Sequence, residues 1–382
     1  MQDLIYADHS ATTFIKKDVL DEMMPYLIEN YGNASSAYSL GIKSKMAIKE
    51  ARKKVASAIG VKEEENIYFT SGGSEADNMI IKGIAYANKG KGKHIITTKI
   101  EHMAVINTCK RLEQEGFEVT YLDVDSSGLI NINDVQNAIR PDTILISVMF
   151  ANNEIGTIEP IEQIAKLARF KGIIFHTDAV QAVGNVKIDV EKMCIDALSM
   201  SAHKFYGPKG IGAAYINSKI NFIPLIEGGH QEFLKRAGTE NVAAIVGMGK
   251  AIEMSTSNLE EKIKGMIKTR EYLIEKIVNN IDEVKINGDR EKRLPGNVNV
   301  SIKGINAENA LVLLNMNNIC ASSGSACNSG GGTSHVLLAI SKDLNLCREY
   351  GSLRFSLGEE NTKEDVDYIV EKLKEIVIKL RK

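Results

Sequence analysis

The chain has 382 residues, of which 44% are hydrophobic, so it can bury more core than a single domain normally holds. Its formal net charge of -2 gives no positive field for nucleic acid, and no apolar run reaches the roughly 20 residues that a membrane span needs. Composition therefore predicts a folded globular protein whose partners are neither nucleic acid nor membrane.

The N-terminal residues and the cysteines indicate the expected cellular location. Residues 1–11 carry Asp3 and Asp8 instead of a positive region followed by an apolar one, so we expect no secretory signal and a cytoplasmic location. The five cysteines are an odd number without any CxxC pair, which favours neither a disulfide framework nor a zinc ribbon. Most of them are expected to be ordinary buried thiols, and no metal site is predicted.

Between about residues 65 and 217, short apolar runs alternate with helical stretches, a pattern typical of βα units and a largely parallel sheet. Ligands of open α/β sheets bind at the carboxyl ends of strands, so polar residues just after these runs are the first candidates for a site. Helices are predicted between the strands, for example at 76–87 and 161–169. The seven predicted strands are 66–70, 94–98, 118–122, 143–150, 173–176, 197–201 and 212–216.

Past residue 249 the pattern changes. A charged stretch at about 258–279 predicts a long amphipathic helix. It is followed by predicted strands at 298–302 and 352–356, with a glycine- and serine-rich loop between them, and by a helix from Lys363 onward. We therefore expect a large domain over residues 13–255 and a smaller α+β domain formed by residues 1–12 and 256–382, which carries that loop at about 321–333.

Three predicted strands end in residues of chemical interest. The strand at 66–70 is followed by a glycine turn at 71–75, whose N–H groups could bind a phosphate or which simply reverses the chain. Asp178 and Lys204 follow two later strands. Burying a lysine at the end of a strand costs free energy unless its charge is paired or its amine takes part in chemistry. Pyridoxal 5'-phosphate (PLP) needs such a lysine, together with an acid that keeps its ring nitrogen protonated.

Seven motifs occur in the order found in one family. Together they resemble the cysteine desulfurases of the iron–sulfur-cluster assembly branch, which are fold-type I PLP enzymes of the class V aminotransferase family. The resemblance covers nearly the whole chain and implies the seven-stranded, mostly parallel sheet of that fold. The motifs are TSGGSEADN (70–78), NNEIG (152–156), HTDAVQAVG (176–184), SAHKFYGPKG (201–210), RAGTEN (236–241), SSGSAC (322–327) and LRFSLG (353–358).

The resemblance implies roles for individual residues at the cofactor. Lys204 would carry PLP, Asp178 would pair with the ring nitrogen, and Gln181 would bond the ring hydroxyl. His102 matches the histidine that stacks on the ring and helps to move protons. The residues that match the phosphate cradle are Gly73, Ser74, Ser201 and His203.

The resemblance also implies how substrate and partner subunit contribute. Asn153, which also matches a cofactor contact, and Arg354 match the positions that hold the carboxylate of L-cysteine, for which a guanidinium is a bidentate partner. Asn33 is a further candidate for substrate binding, in a motif at the entrance to the site, where Ala34, Tyr38 and Phe14 depart from the family pattern. Thr239 matches a residue that reaches the phosphate of the other subunit, which implies a homodimer.

Cys327 separates the possible activities. It lies among serines and glycines that cannot bury much apolar surface, so we expect an exposed thiol. The resemblance implies that Lys204 removes the α-proton of L-cysteine and that Cys327 attacks the substrate sulfur. The products would be L-alanine and a persulfide, which passes to an acceptor such as an iron–sulfur scaffold or a tRNA or cofactor thiolation protein. A selenocysteine lyase or a class V aminotransferase is the alternative, because neither strictly requires a loop thiol.

Overall fold

The computed structural model describes residues 3–323 and 334–382. The first part of the chain contains β1 (Ile5–Tyr6), α1 (Lys17–Ile28), α2 (Ser39–Ala58), β2 (Ile67–Thr70), α3 (Gly73–Asn88), β3 (His94–Thr98), α4 (Met103–Gln114), β4 (Glu118–Leu122), α5 (Ile132–Ala138), β5 (Thr143–Ser147), α6 (Ile161–Phe170), β6 (Ile174–Asp178), β7 (Ala197–Ser201), β8 (Gly212–Ile216) and α7 (Val242–Thr256). The remainder contains α8 (Leu259–Asn280), β9 (Val284–Ile286), β10 (Asn297–Lys303), α9 (Ala307–Met316), β11 (Ile319–Cys320), α10 (His335–Ser341), α11 (Leu344–Glu349), β12 (Tyr350–Ser356) and α12 (Lys363–Leu380). Over the two described ranges, no helix has both the length and the apolar character needed to cross a lipid bilayer.

Strands β2 to β8 form one seven-stranded sheet in the order β2-β8-β7-β6-β5-β3-β4. Only β8 runs antiparallel to its neighbours, β2 and β7. Every residue of β3, β5, β7 and β8 is buried, as expected for strands covered by helices on both faces. The predicted α/β fold with a mostly parallel seven-stranded sheet is confirmed, and each predicted strand overlaps an observed one.

The strand predicted at 143–150 is the one whose end differs most from the structure, since β5 ends at Ser147. Residues 148–150 remain buried and still bond to β6, where the backbone N–H of Phe150 donates to the carbonyl of Asp178 at 2.8 Å. Their apolar character reflects this burial at the sheet edge. An apolar run alone therefore overestimated the length of the strand.

A second hydrophobic core lies outside the large sheet. It packs α8 and α12 against the antiparallel sheet β12-β10-β9, where Val300 and Leu373 are fully buried. Strand β1 pairs with β11 and adds Ile5 and Ala7 to this core. The N-terminal segment thus packs with the C-terminal third of the chain. This packing supports the boundaries 13–255 and 1–12 with 256–382, which stay a prediction.

The direction of the strands determines where the polar residues meet. Strands β2, β3, β5, β6 and β7 are parallel, so their carboxyl ends lie along one edge of the sheet. The residues that follow these strands, or end them, include Gly73, His102, Asn153, Asp178 and Lys204. Residues separated by more than a hundred positions are thereby brought to one place.

Candidate active site

A cavity of about 280 Å³ opens at the carboxyl edge of the large sheet. Ten of the predicted site residues line it, namely Gly73, Ser74, His102, Asn153, Asp178, Gln181, Ser201, His203, Lys204 and Arg354. The wall also contains residues that the sequence analysis did not single out, namely Ser10, Ala11, Asp77, Met149, Ala151 and Val180.

The turn between β2 and α3 forms one end of the cavity. Gly73 and Ser74 begin α3, where backbone N–H groups without a partner inside the helix and the positive end of its dipole attract an anion. A Cβ atom on Gly73 would lie 2.6 Å from Cγ2 of Val180, so a larger residue would collide with the cavity wall. This end fits a phosphate group.

His203 lies at the cavity with its ring fixed in place. Its Nδ1 is 3.0 Å from Oγ1 of Thr12. Burial, together with the positive charge of Lys204, lowers the pKa of His203 to about 4. The ring is therefore neutral at physiological pH, and it can donate or accept a hydrogen bond without adding charge to the site.

Lys204 lies in a short turn directly after β7. Its Nζ donates to the carbonyl oxygens of Ser10 and Ala11, at 2.6 and 2.7 Å. Nε2 of Gln181 donates to the same Ser10 carbonyl at 2.9 Å. The segment after β1 therefore holds two of the predicted cofactor residues through its backbone, which side-chain patterns in the sequence do not reveal.

Asp178 is the last residue of β6, and its carboxylate is buried. Its Oδ1 accepts the backbone N–H of Val180 at 2.9 Å. Burial raises the pKa of Asp178, while the His102 ring, the backbone N–H of Val180 and the charge of Lys204 oppose that rise. A buried carboxyl in this position suits a pyridinium nitrogen, since a cation would compensate the cost of burying the charge.

His102 is both a helix cap and part of the cavity wall. Its Nδ1 accepts the backbone N–H of Ala104 at 3.2 Å at the start of α4. A neutral ring must then carry its proton on Nε2. The capping role that the local sequence suggests and the role at the ring that the resemblance implies are therefore compatible.

Arg354 on β12 connects the small sheet to the cavity. Its Nη2 donates to Oδ1 of Asp8 at 2.8 Å, and its Nη1 donates to the carbonyl of Asn153 at 3.0 Å. The buried Nε has no hydrogen-bond partner within residues 3–323 and 334–382. A carboxylate that binds this guanidinium bidentately must therefore share it with Asp8 or displace Asp8, a residue that the sequence analysis did not connect with the site.

Two of the predicted site residues do not line the cavity. Asn33 is exposed, and its Oδ1 accepts the backbone N–H of Ser35 at 2.9 Å. Thr239 is also exposed. Its segment lies against the start of α3, since Nε of Arg236 donates to Glu75 at 2.8 Å. The roles assigned to Asn33 and Thr239 stay predictions.

Cys327 lies outside the described residues, which end at Ser323 and resume at Ser334. Both flanks contact the site. The backbone N–H of Ser322 donates to the carbonyl of Arg354 at 3.1 Å. On the other side, Oγ of Ser334 donates to the carboxylate of Glu154 at 2.5 Å. The described residues on either side of this gap therefore contact Arg354, which lines the cavity, and Glu154, which follows the lining residue Asn153.

The sequence analysis missed two buried acids at the site. Asp77 lies on α3 and lines the cavity, although it shares the apolar face of Ile80, Ile81 and Ile84. An acidic residue on the apolar face of a helix is unusual, and this feature of the sequence could have identified Asp77 as a candidate site residue. Glu154 was quoted only as part of a motif. Burial raises its pKa to about 7.

Comparison with known proteins extends over the whole chain. Residues 5–369 match the profile described as Aminotransferase class-V, and the chain belongs to this family. Cysteine desulfurase IscS of Clostridium botulinum is 55% identical over 380 residues, which cover 99% of this chain and 95% of that protein. Within the family, the chain is a cysteine desulfurase, and the predicted resemblance is confirmed.

Solved structures give the same result. A NifS-like protein superposes with a TM-score of 0.92 at 38% identity, covering 98% of this chain and 99% of that one. The structure described as SspA in complex with cysteine has a TM-score of 0.81 at 39% identity, and the match covers 94% of this chain and 100% of that one. The fold-type I architecture predicted from the motifs is confirmed.

Proposed function

We propose that this cysteine desulfurase uses PLP, bound through Lys204, to convert L-cysteine to L-alanine and to hold the sulfur as a persulfide on Cys327. Enzymes of its family depend on PLP, which when bound withdraws electrons from the substrate Cα. The proposal rests on one cavity that brings Lys204, the buried Asp178 and the start of α3 together. These residues fit the aldehyde, ring nitrogen and phosphate of the cofactor.

The residues of the chain supply the proton transfers. Lys204 would remove the proton from the substrate Cα. The carbonyl oxygens of Ser10 and Ala11, which accept from its Nζ, would hold the amine near the cavity. His102, whose ring when neutral carries its proton on Nε2, is the second group that can move a proton.

Arg354 and Asn153 would select the substrate. The guanidinium at the cavity is the complement of an α-carboxylate, and a cavity of about 280 Å³ leaves room for a small amino acid beside the cofactor. The similar SspA structure is described as a complex with cysteine, which supports the same substrate here. The contacts of Ser322 with Arg354 and of Ser334 with Glu154 support Cys327 as the attacking thiolate, because they place the described residues on both sides of its segment near the cavity.

The proposed assembly is a homodimer. Leu27, Ile28 and Tyr31 at the end of α1 are more than half exposed, as are Phe233 and Leu234 in the segment before α7. Residues 232–234 have φ values of 44°, 55° and 66°, a strained conformation held by a buried bidentate ion pair of Glu232 with Arg52. The ion pair stabilises a strained backbone that exposes the apolar side chains of Phe233 and Leu234, which supports an interface with a second subunit. Thr239 of each subunit would then reach the phosphate bound by the other.

A persulfide must be delivered, so we also propose a sulfur-acceptor protein such as an iron–sulfur scaffold. The four described cysteines, Cys109, Cys194, Cys320 and Cys347, are free thiols. Free thiols support the proposed cytoplasmic location, where disulfides are rare.

The test compares wild type, Lys204→Ala and Cys327→Ala, with Cys194→Ser as a control cysteine away from the cavity. The visible absorbance of bound PLP should need Lys204 and should persist in Cys327→Ala. Formation of sulfide and alanine from L-cysteine should be lost in both variants and retained in the control. If Cys327→Ala forms sulfide as fast as wild type, the persulfide step is wrong and a lyase or aminotransferase is the better assignment.

A further inference from the structure

Behind the cavity, a chain of hydrogen bonds between buried side chains ends on Asp77. It crosses three neighbouring strands, since Ser147, His176 and Ser199 lie on β5, β6 and β7. Oγ of Ser147 is 2.9 Å from Nδ1 of His176, and Nε2 of His176 is 3.0 Å from Oγ of Ser199. Oγ of Ser199 donates to Oδ1 of Asp77. The three strand residues have no exposed surface, and Asp77 is 1% exposed.

The direction of these bonds follows from the number of protons available. Burial lowers the pKa of His176 to about 3, so the ring is neutral and has one N–H. Ser199 gives its only proton to Asp77 and must therefore accept from Nε2 of His176. Nδ1 then accepts from Ser147. Every donor in the chain points toward Asp77, which stabilises negative charge on that carboxyl.

A second buried carboxyl lies next to Asp77. One oxygen of Asp77, one oxygen of Asp178 and a ring nitrogen of His102 all lie within 4.8 Å of one another. Burial and the charge of Asp178 raise the pKa of Asp77 well above its usual range. Burial also raises the pKa of Asp178. Two carboxyls this close in the interior titrate as a pair, because ionising both places two like charges side by side.

Charged groups on all sides of this pair decide its total charge. Glu101 in the segment after β3 raises the pKa of Asp77 further, although burial also raises the pKa of Glu101 itself. Lys204 in the turn after β7 adds positive charge beside Asp178, and the ring of His102 lies beside it from the start of α4. His176 is neutral. A single proton shared by the pair would relieve the repulsion between the two carboxyls.

We propose that Asp77 is a positioning residue that shares a single proton with Asp178, and that the pair gives this proton up to solvent when the cationic ring nitrogen of PLP binds. This inference rests on the proposed function. On binding, a carboxyl O–H bond of the pair would break and the proton would leave to solvent. The second negative charge of the pair would then face the pyridinium, which compensates it.

The test counts the protons taken up when PLP is added to the cofactor-free protein, by calorimetry in two buffers of different ionisation enthalpy. Asp77→Asn keeps the shape of the side chain and an acceptor for Ser199 but cannot hold the proton. Asp178 alone is then ionised and has no shared proton to release, so the net proton uptake of the variant should exceed that of wild type by about one per site. Ser199→Ala is the matched control, since it removes a buried hydrogen bond but leaves both carboxyls, and it should equal wild type.

The proton exchanged in bond formation with Lys204 is common to all variants, so it cancels in the difference. Equal uptake by wild type and Asp77→Asn would overturn the inference, and so would extra uptake by Ser199→Ala. The infrared spectrum of wild type provides a check that needs no variant. The difference spectrum on addition of PLP should show the loss of a protonated-carboxyl band, and the absence of such a loss would also contradict the shared proton.

These outcomes are distinct from failure of the proposed function. If wild type binds PLP with the absorbance that depends on Lys204 but shows no proton difference, only the role of Asp77 is wrong. If cofactor-free wild type does not bind PLP, the cofactor assignment and this inference are both overturned. Thermal unfolding of the cofactor-free variants establishes that each is folded before the protons are counted.

Discussion

The two walls of the cavity are built in different ways. The sheet wall, formed by residues 73–74, 178 and 201–204, consists of strand ends and a helix start that are fixed by fully buried strands. The small-domain wall, formed by Ser10, Ala11 and Arg354, also depends on polar contacts, such as Arg354 to Asp8 and Lys204 to the carbonyls of Ser10 and Ala11. The first wall is fixed by packing, whereas in the second a bound carboxylate can exchange with one hydrogen bond.

This difference matches the steps of the proposed reaction. The cofactor would remain in place through every cycle, and its predicted contacts lie on the sheet wall. The substrate and the thiol must come and go, and their predicted contacts lie on the small-domain wall. Substitutions on the sheet wall should therefore affect cofactor binding and turnover together, whereas those on the small-domain wall should affect substrate binding or pH dependence alone.

The largest effect is expected on the sheet wall, for Asp178→Asn. Removing one partner of a buried charge pair costs about 3–5 kcal/mol, so sulfide formation should fall by about 100-fold or more and PLP should bind less tightly. Asp196→Asn is the control, because Asp196 is a half-buried acid just before β7 that accepts the backbone N–H of Phe175 away from the cavity. If Asp178→Asn kept normal turnover and PLP affinity, the sheet wall would not be the part of the site that binds the cofactor.

The next effect concerns Glu154 and the pH dependence of stability. Burial raises the pKa of Glu154 from 4.5 to about 7, so the folded chain binds its proton more tightly than the unfolded chain. The stability due to this proton is complete below about pH 4.5 and is lost as the pH rises through about 7. At about 1.4 kcal/mol for each pH unit, the loss is at most about 3.5 kcal/mol.

Glu154→Gln should lack this loss, because the amide does not ionise and its oxygen still accepts from Ser334. The free energy of unfolding of wild type relative to the variant should therefore decrease between about pH 5 and pH 8, as measured by denaturant titration at each pH. Glu162→Gln, at an exposed position on α6, should follow wild type throughout. A constant difference between wild type and Glu154→Gln would contradict the assignment.

The two walls also differ in how well the sequence predicted them. Short apolar runs identified the strands, and the meeting of parallel carboxyl ends at one edge indicated that Asp178 and Lys204 lie together. The contact between Arg354 and Asp8 joins residues 346 positions apart, and no local pattern indicates such a pair. The resemblance supplied Arg354 itself, but the residue that occupies its guanidinium is apparent only from the fold.

Arg354→Lys should affect substrate binding alone. Lysine keeps the charge but loses the planar pair of donors, a loss of about 1.5–3 kcal/mol for a hydrogen bond to a charged group. The KM for L-cysteine should rise by about 10- to 100-fold, with the absorbance of bound PLP unchanged. Arg270→Lys, a buried arginine on α8, is the control and should change stability without changing KM. Loss of PLP from Arg354→Lys would mean that the small-domain wall also holds the cofactor.

The smallest effect, and the one with the opposite sign, is expected for Asp8→Asn. Asp8 occupies Nη2 of Arg354, so it competes with the substrate carboxylate for the same donor. A partly exposed ion pair contributes about 0.2–1 kcal/mol, and its removal should lower the KM for L-cysteine by a factor of up to about five. In an Arg354→Lys background the same substitution should have little effect, because the two residues act on one contact. If Asp8→Asn raises KM instead, Asp8 holds the guanidinium in its binding orientation. The small-domain wall would then be prearranged like the sheet wall, not opened by exchange of one hydrogen bond.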